Sequence, residues 1–427
     1  MTPAIAASVG CLVLMFGLAI AFNVNIGVLG FVFALVVATI GGLTVDEMLG
    51  SFPADIFVLI AGVTYLFAIA RANGTVELIV TTGVRMVAGR VALIPVIFGL
   101  IAALLVAFGV FPSAALALLA PLAMSFAAKY RVSPLLMGLI ILHGVNATAM
   151  SPLNSYGAVT RSVLEKSGLT DVSIWDVFVP YLLIYVLLMT VVYFAFGGLH
   201  LIRHGHGKEP EVADAAADPE AAGTDGGRVT VEQIATLVAI AALGVLALGF
   251  DLDVGITAFA LGAVLTLCYP ARGETAVKGI AWSVILLTSG LFVFVGVAEQ
   301  VGAIDLASDA IGGLGGPVVT ALLASAIGAV VSAFASTTAT LGATFPILIP
   351  PLQAAEFAHI PGAVAGFGVA ASVVDVSPTS PSGALLMANV RNRDRSVYFR
   401  QLLYWAGAML VCGSIVPWLL LVVLGLG

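Results

Sequence analysis

The sequence predicts an all-α polytopic membrane protein organised as an inverted-topology repeat, each half holding five membrane-crossing helices, one re-entrant hairpin and one broken helix. Three observations predict it. Hydrophobic residues make up 61% of the 427 positions and charged residues only 9%, with a mean hydropathy of +1.16, whereas a soluble domain carries roughly a quarter charged residues. Residues in the first half recur at a near-constant offset in the second. The loop charges change sign between the halves.

Taken in order, apolar stretches fall at 5–22, 26–43, 54–72, 91–108, 110–128, 134–160 and 178–199. After a polar linker they resume at 231–250, 254–270, 279–298, 316–334, 337–352, 361–390 and 401–425. About 20 apolar residues cross a bilayer as a helix. The stretches 91–108 and 110–128, like 316–334 and 337–352, follow one another with almost no polar loop. Each of these pairs is expected to form a re-entrant hairpin that enters and leaves from one side. The chain thus divides into a first repeat, 1–199, with leading helices in 5–72 (the scaffold, on the family resemblance given below), hairpin 91–128 and broken helix 134–160. The linker 200–229, rich in Ala, Asp, Glu and Gly, joins it to a second repeat, 230–427, with the corresponding helices in 231–298, hairpin 316–352 and broken helix 361–390.

Phe22, Gly27, Gly62, Ala70 and Gly74 recur 228 residues later as Phe250, Gly255, Gly290, Ala298 and Gly302. Phe108, Ser151, Pro152 and Gly157 recur 226 later as Phe334, Ser377, Pro378 and Gly383. Asp46, Glu47 and Asp55 in one loop are matched by Arg272 and Lys278 beside Glu274, and Arg71, Arg85 and Arg90 by Glu299, Asp305 and Asp309. Lys129 and Arg131 are matched by Glu356 and His359. Because Lys and Arg prefer the cytoplasm, the halves are expected to lie upside down relative to each other. Both termini then fall outside, the linker falls in the cytoplasm, and Arg391, Arg393, Arg395 and Arg400 land inside. Arg71 and Glu299 read as topology anchors at span ends.

Composition also excludes function classes. The net charge of −7 resides in loops and the linker, and no basic field suggests nucleic acid. Cys11, Cys268 and Cys412 lie in separate spans without CxxC spacing and read as packing residues. No Lys or Arg precedes Arg71, so the first span lacks the basic flank of a signal peptide and is expected to stay in the mature protein. The sequence holds no HExxH, GxSxG or P-loop motif, so an enzyme or an ATP-driven pump is not expected. His200, His204 and His206 open the linker and read as part of a solvated tether rather than a metal site.

The chemistry is expected at two knots, Ser151-Pro152-Leu153-Asn154-Ser155-Tyr156-Gly157 and Ser377-Pro378-Thr379-Ser380-Pro381-Ser382-Gly383. Proline removes an N–H and clashes with the preceding turn, so each span should break there. Hydrocarbon tolerates broken backbone only where protein buries it or a wet cavity borders it, and paired breaks in two halves mark transport sites. The new helix N-terminus suits a carboxylate, while exposed carbonyls and hydroxyls suit Na⁺. The residues expected to bind substrate are Asn146, Thr148, Ser151, Asn154 and Ser155 from the first half, and Ser336, Thr337, Thr338, Ser377, Thr379, Ser380 and Ser382 from the second. The structural alternative is that they cap broken helices or bond neighbours. Asp375 stands alone as a deep acid, its repeat counterpart being Ala149. An intramembrane carboxylate points to function, so Asp375, with Ser336, Thr338 and Ser377, is the expected coupling-ion site. His143 is either a proton-handling group or a packed histidine, and Tyr156 either lines the cavity or packs beside it.

The run Phe52-Pro53-Ala54-Asp55, then Val63-Thr64-Tyr65-Leu66-Phe67-Ala68-Ile69-Ala70 and Asn73-Gly74-Thr75, resembles the N-terminal domain of MatC-type malonate/dicarboxylate carriers. So do Gly89-Arg90, Leu93-Ile94-Pro95, Leu119-Ala120-Pro121, Tyr130-Arg131, Met137-Gly138-Leu139 and His143-Gly144. More distantly, the layout resembles divalent-anion/sodium symporters of the ion transporter superfamily, which pair a Ser-Asn-Thr hairpin tip with a Thr-Pro-Pro-type break in each half. Ser336-Thr337-Thr338-Ala339-Thr340 matches the second tip, whereas Val110-Phe111-Pro112-Ser113 departs from the first and argues against a symmetric pair of sodium sites. The resemblance implies a secondary active transporter of small dicarboxylates, malonate first, working by Na⁺ or H⁺ symport with no other cofactor. It implies a homodimer in a bilayer, with scaffold helices and hairpin-plus-broken-helix units that move as an elevator. An Ala-rich, Lys-poor chain points to a GC-rich bacterium, and the expected location is the bacterial cytoplasmic membrane. The alternatives left open are a cation/proton antiporter with Asp375 as carrier and a dicarboxylate exchanger.

Overall fold

The computed structural model describes residues 2–427 except 23, 87–89, 205–228, 251, 314, 334–336, 379 and 392. All regular structure among the described residues is helical. The first half contains α1 (Pro3–Phe22), α2 (Ile26–Gly41), α3 (Val45–Leu49), α4 (Ala54–Ala72), α5 (Thr75–Met86), α6 (Ile94–Ala107), α7 (Pro112–Lys129), α8 (Pro134–Ala147), α9 (Ser155–Lys166), α10 (Ile174–Ala195) and α11 (Gly198–His204). The second contains α12 (Val231–Gly249), α13 (Val254–Cys268), α14 (Gly273–Lys278), α15 (Trp282–Gln300), α16 (Ala303–Gly312), α17 (Pro317–Ser332), α18 (Thr337–Ala354), α19 (Ile360–Val373), α20 (Pro381–Asn389) and α21 (Arg395–Pro417).

Among the described residues 7 helices are long and apolar enough to cross a membrane, or 9 if each of two bent pairs counts as one span. The chain is a multi-pass membrane protein. The expected spans agree with the observed helices to within a few residues, and the breaks foreseen in 134–160 and 361–390 separate α8 from α9 and α19 from α20. Most of the expected linker, including His206, lies outside the described residues; its first residues, with His200, continue α11.

Local chemistry accounts for the boundaries. Thr44 with Glu47, Ser173 with Asp176, and Thr230 with Gln233 form capping boxes that start α3, α10 and α12. Proline opens α7, α8, α17 and α20 at the first helical position, where its missing N–H costs nothing. The short helices α5 and α16 were not separated as spans because they are amphipathic rather than apolar. Each buries an apolar or small stripe, Val76 and Val80 in α5 and Ile304 and Ser308 in α16, at positions 228 apart.

Two interhelical crossings join the halves. α2 packs on α15 and α4 packs on α13. At the first crossing a Cβ added to Gly290 would strike the Gly27 carbonyl; at the second, one added to Gly62 would strike the Gly255 carbonyl. Gly255 and Gly290 are the residues 228 after Gly27 and Gly62, so the two contacts exchange partners between the halves. Only glycine lets backbones approach this closely. The halves also interlock elsewhere: α9 of the first packs along α18 of the second, and α20 of the second along α7 of the first.

Gly290→Ala is expected to push α2 off α15 and lower stability by more than about 2 kcal/mol. Gly10→Ala, where an added Cβ meets nothing within 4 Å, should leave stability unchanged. Thermal unfolding of the detergent-solubilised protein checks both.

Candidate functional site

Each break leaves carbonyls and N–H groups without helical partners, and the polar side chains around it take them up. At the first break, Thr148 Oγ1 donates to the Ala103 carbonyl (2.6 Å) and Ser151 Oγ to the Ala107 carbonyl (2.8 Å). Asn154 Nδ2 donates to the carbonyls of Val106 (2.7 Å) and Val110 (3.0 Å). These acceptors are the last turn of α6 and the bend that follows. Asn154 Oδ1 in turn accepts from the Ser155 backbone N–H (2.7 Å) and hydroxyl (3.1 Å), capping α9. The donors of Thr148, Ser151 and Asn154 are therefore engaged with backbone, the capping alternative weighed for them.

At the second break the repeat counterpart of Asn154 is Ser380. Its hydroxyl accepts from the Gly383 N–H (3.0 Å) and meets the carbonyls of Ser377 (2.8 Å) and Asp375, capping α20. A Cβ on Gly157 would strike the Ser151 carbonyl, and one on Gly383 the Ser377 carbonyl. Both breaks are thus folded in the same tight way, with the new helix laid over the preceding carbonyl.

The charged end of the site belongs to the second half. Thr337 Oγ1, in the first turn of α18, donates to Asp375 Oδ2 (2.9 Å). Ser332 Oγ, at the end of α17, lies 3.2 Å from Thr337 Oγ1. Tyr156, in the first turn of α9, is buried, and its hydroxyl lies close to Asp375, Thr337 and Thr338. Thr338 Oγ1 is buried without a hydrogen-bond partner among the described residues. Four elements thus converge on one carboxylate: the end of α17, the start of α18, the start of α9 and the turn after α19. A buried carboxylate is costly unless a proton, cation or donor set compensates it. The surrounding hydroxyls are oxygen ligands of the kind a hard cation takes. No group of three or more His, Cys, Asp and Glu that would hold a multivalent metal occurs among the described residues.

Asn146 lies at the contact between the halves. Its Nδ2 donates to the carbonyl of Ser372 (2.9 Å), the residue 226 positions later. The Tyr181 hydroxyl donates to the Asn146 carbonyl (2.8 Å), and the Ser372 hydroxyl lies 3.0 Å from Tyr181 and 2.7 Å from Tyr185. Ser372, Tyr181, Tyr185 and Ser332 were not foreseen; the signal available for Ser372 was its repeat relation to Asn146. His143 is fully buried, and its Nε2 accepts from Trp405 Nε1 (3.1 Å). It is packed between the rings of Tyr185 and Trp405, the packed alternative weighed for it. Ser155 and Ser377 are buried at their breaks, Ser382 is half-buried in α20, and Ser336 and Thr379 lie outside the described residues.

Residues 1–149 match the family model described as the dicarboxylate carrier protein MatC N-terminus, in agreement with the resemblance drawn from residues 52–144. The matched family is one of carriers, not enzymes. Among solved structures the chain is similar to the YdaH transporter of Alcanivorax borkumensis, at 16% identity and a TM-score of 0.61, over 89% of this chain and 88% of that one. At that identity the likeness concerns the fold. No curated protein matches the sequence.

Asn154→Leu is expected to remove the side-chain donor of the Val110 carbonyl and the second donor of the Val106 carbonyl, which keeps the Gly109 N–H, and to cost about 1–3 kcal/mol. Ser382→Ala, at a half-buried hydroxyl, should cost far less. Thermal unfolding of the two variants side by side makes the comparison.

Proposed function

We propose that the chain is a secondary active transporter of small dicarboxylates, malonate first, that works by cation symport in a bacterial cytoplasmic membrane. The match of residues 1–149 to a dicarboxylate carrier family supports the substrate class. The observation that carries the mechanism is the convergence of α9, α17, α18 and the turn after α19 on Asp375. On this reading the coupling cation, Na⁺ or H⁺, is taken at Asp375 with Thr337 and Thr338. The dianion sits beside it at the N-termini of α9 and α20, where backbone N–H groups and the helix dipoles favour negative charge. Tyr156 bridges the two parts from the opposite half.

Energetics require the coupling. Importing a dianion against an inside-negative potential costs about 2.3 kcal/mol per charge per 100 mV, roughly 4.6 in all. Two co-transported monovalent cations cancel that cost and a third makes the potential favourable. The exchange of partners between the halves at Gly27, Gly62, Gly255 and Gly290 supports a symmetry-related repeat, and the reversed loop charges support its inversion, with both termini outside. A homodimer whose hairpin-plus-broken-helix units, 91–160 and 316–390, move against the scaffold follows from the resemblance.

The test is uptake of labelled malonate into proteoliposomes with Na⁺ and pH gradients imposed separately. One of the two gradients is expected to drive uptake, and Asp375→Asn to abolish the gradient-driven part. Cation-for-proton exchange without malonate uptake would replace this reading by an antiporter, and malonate uptake that needs only internal dicarboxylate would replace it by an exchanger. A second prediction concerns Thr337→Val, which removes the hydrogen bond to the Asp375 carboxylate. Loss of a bond to a charged group is expected to weaken the apparent affinity for the coupling cation about ten-fold, read from the cation dependence of uptake.

A further inference from the structure

Away from both breaks, the start of α21 borders a surface groove of about 640 Å³ lined by Met387, Arg395, Ser396, Phe399 and Arg400. We propose that this groove binds an anionic phospholipid, its phosphate held by Arg395 and Arg400 and one acyl chain laid along the outer face of α21.

The charge of the groove fits a phosphate. Residues 391–400 carry Arg391, Arg393, Arg395 and Arg400 against the single acid Asp394. Asp394 is occupied as the cap of α21, accepting from the Ser396 N–H at 2.7 Å. That hydrogen bonding, with the charge of Arg400 as a smaller contribution, holds its carboxyl below the usual range. Among the described residues neither Arg395 nor Arg400 forms an ion pair. Basic pockets beside membrane helices recognise lipid head groups in this way.

The shape and polarity identify the source of that phosphate as a lipid rather than a free anion. Two lining residues, Met387 and Phe399, are apolar, and Phe399 is 38% exposed. From the groove, the exposed face of α21 steps by one helical turn at a time. It passes through Arg395 and Ser396, then Phe399 and Arg400, Leu403 and Tyr404, Gly407 and Ala408, Val411 and Cys412, and Ile415 and Val416. The opposite face, with Tyr398, Leu402, Met409 and Gly413, is buried against the protein. The charged groups thus occupy the first rungs and the apolar groups the rest, the order of a head group followed by a chain. At 1.5 Å per residue the apolar part from 400 to 416 runs about 24 Å, comparable to most of the hydrocarbon thickness. At Gly407 an added Cβ meets nothing within 4 Å, so the stripe there is shallow and open. A soluble dianion held by the two arginines would leave Met387, Phe399 and this stripe uncovered.

The experiment uses the full chain in nanodiscs with photoactivatable phosphatidylglycerol, and phosphatidylcholine as the zwitterionic control. Cross-links from phosphatidylglycerol are expected to concentrate on the peptide spanning 387–404. The double variant Arg395→Gln/Arg400→Gln should bind phosphatidylglycerol on the order of thirty-fold more weakly, whereas Arg391→Gln, outside the groove, should retain most of the affinity. Labelling spread evenly over the lipid-facing helices, or equal labelling by phosphatidylcholine, would overturn the proposal. Displacement of the lipid by water-soluble glycerol phosphate at similar concentration would overturn it in favour of a free-anion site. The cross-link map on the unaltered chain decides even if the double variant does not fold.

Discussion

A helix broken inside hydrocarbon exposes backbone groups that lipid cannot satisfy, and this constraint organises the interior. Each exposed carbonyl or N–H must find a partner within the protein or forfeit several kcal/mol. At the first break the side chains of Thr148, Ser151 and Asn154 donate to the carbonyls of Ala103, Val106, Ala107 and Val110. The bend after α6 and the break after α8 are thereby tied into one unit. At the second break Ser380 performs the cap internally and leaves Asp375 to meet the start of α18 through Thr337. The halves then hold each other, since α9 is packed along α18 and α20 along α7.

The resulting symmetry is one of backbone, not of chemistry. The glycine contacts at the two interhelical crossings, the caps at Asn154 and Ser380, and the close approaches at Gly157 and Gly383 all repeat at offsets of 228 or 226. The side chains that bear charge do not. Asp375 stands opposite Ala149, and Thr337 opposite Phe111. Backbone satisfaction is demanded equally in both halves, so its solutions are shared. A buried carboxylate is demanded by neither and persists only where something compensates it.

This division also explains what the sequence made legible. Apolar length and proline position determine spans and breaks almost by themselves, because the bilayer leaves helices few alternatives. Those features agreed with the structure to within a few residues. The use of each hydroxyl was not legible. A Ser or Thr beside a break has the same sequence signature whether it bonds a carbonyl, as Ser151 does, or a carboxylate, as Thr337 does. The choice depends on which distant turn arrives there. Ser332 was not legible because it ends a mostly apolar helix whose Thr320 and Ser325 look the same in sequence, and Ser372 because its partners Tyr181 and Tyr185 come from a helix 191 and 187 residues away in the chain. Short amphipathic α5 and α16 were not legible for a different reason: at 12 and 10 residues, with one polar face, neither reads as a membrane-length apolar run.

On the proposed reading, the asymmetry bears directly on stoichiometry. One carboxylate accepts one proton or helps hold one monovalent cation, and that charge is largely consumed in neutralising Asp375 itself. A dianion in the same site therefore needs compensation from elsewhere: the N-termini of α9 and α20, which supply about half a charge each, and at least one further cation. That second cation has no acid of its own to bind. Its ligands have to be carbonyls and hydroxyls with bonding capacity left over after the breaks have been satisfied. In the first half that capacity is largely spent on the carbonyls of 103–110. In the second half the buried Thr338 hydroxyl, close to that of Tyr156, is not spent on a backbone carbonyl among the described residues. On this reading both cations are drawn to the start of α18, and the bend between α6 and α7, with Phe111, is left to support the anion site rather than a cation of its own.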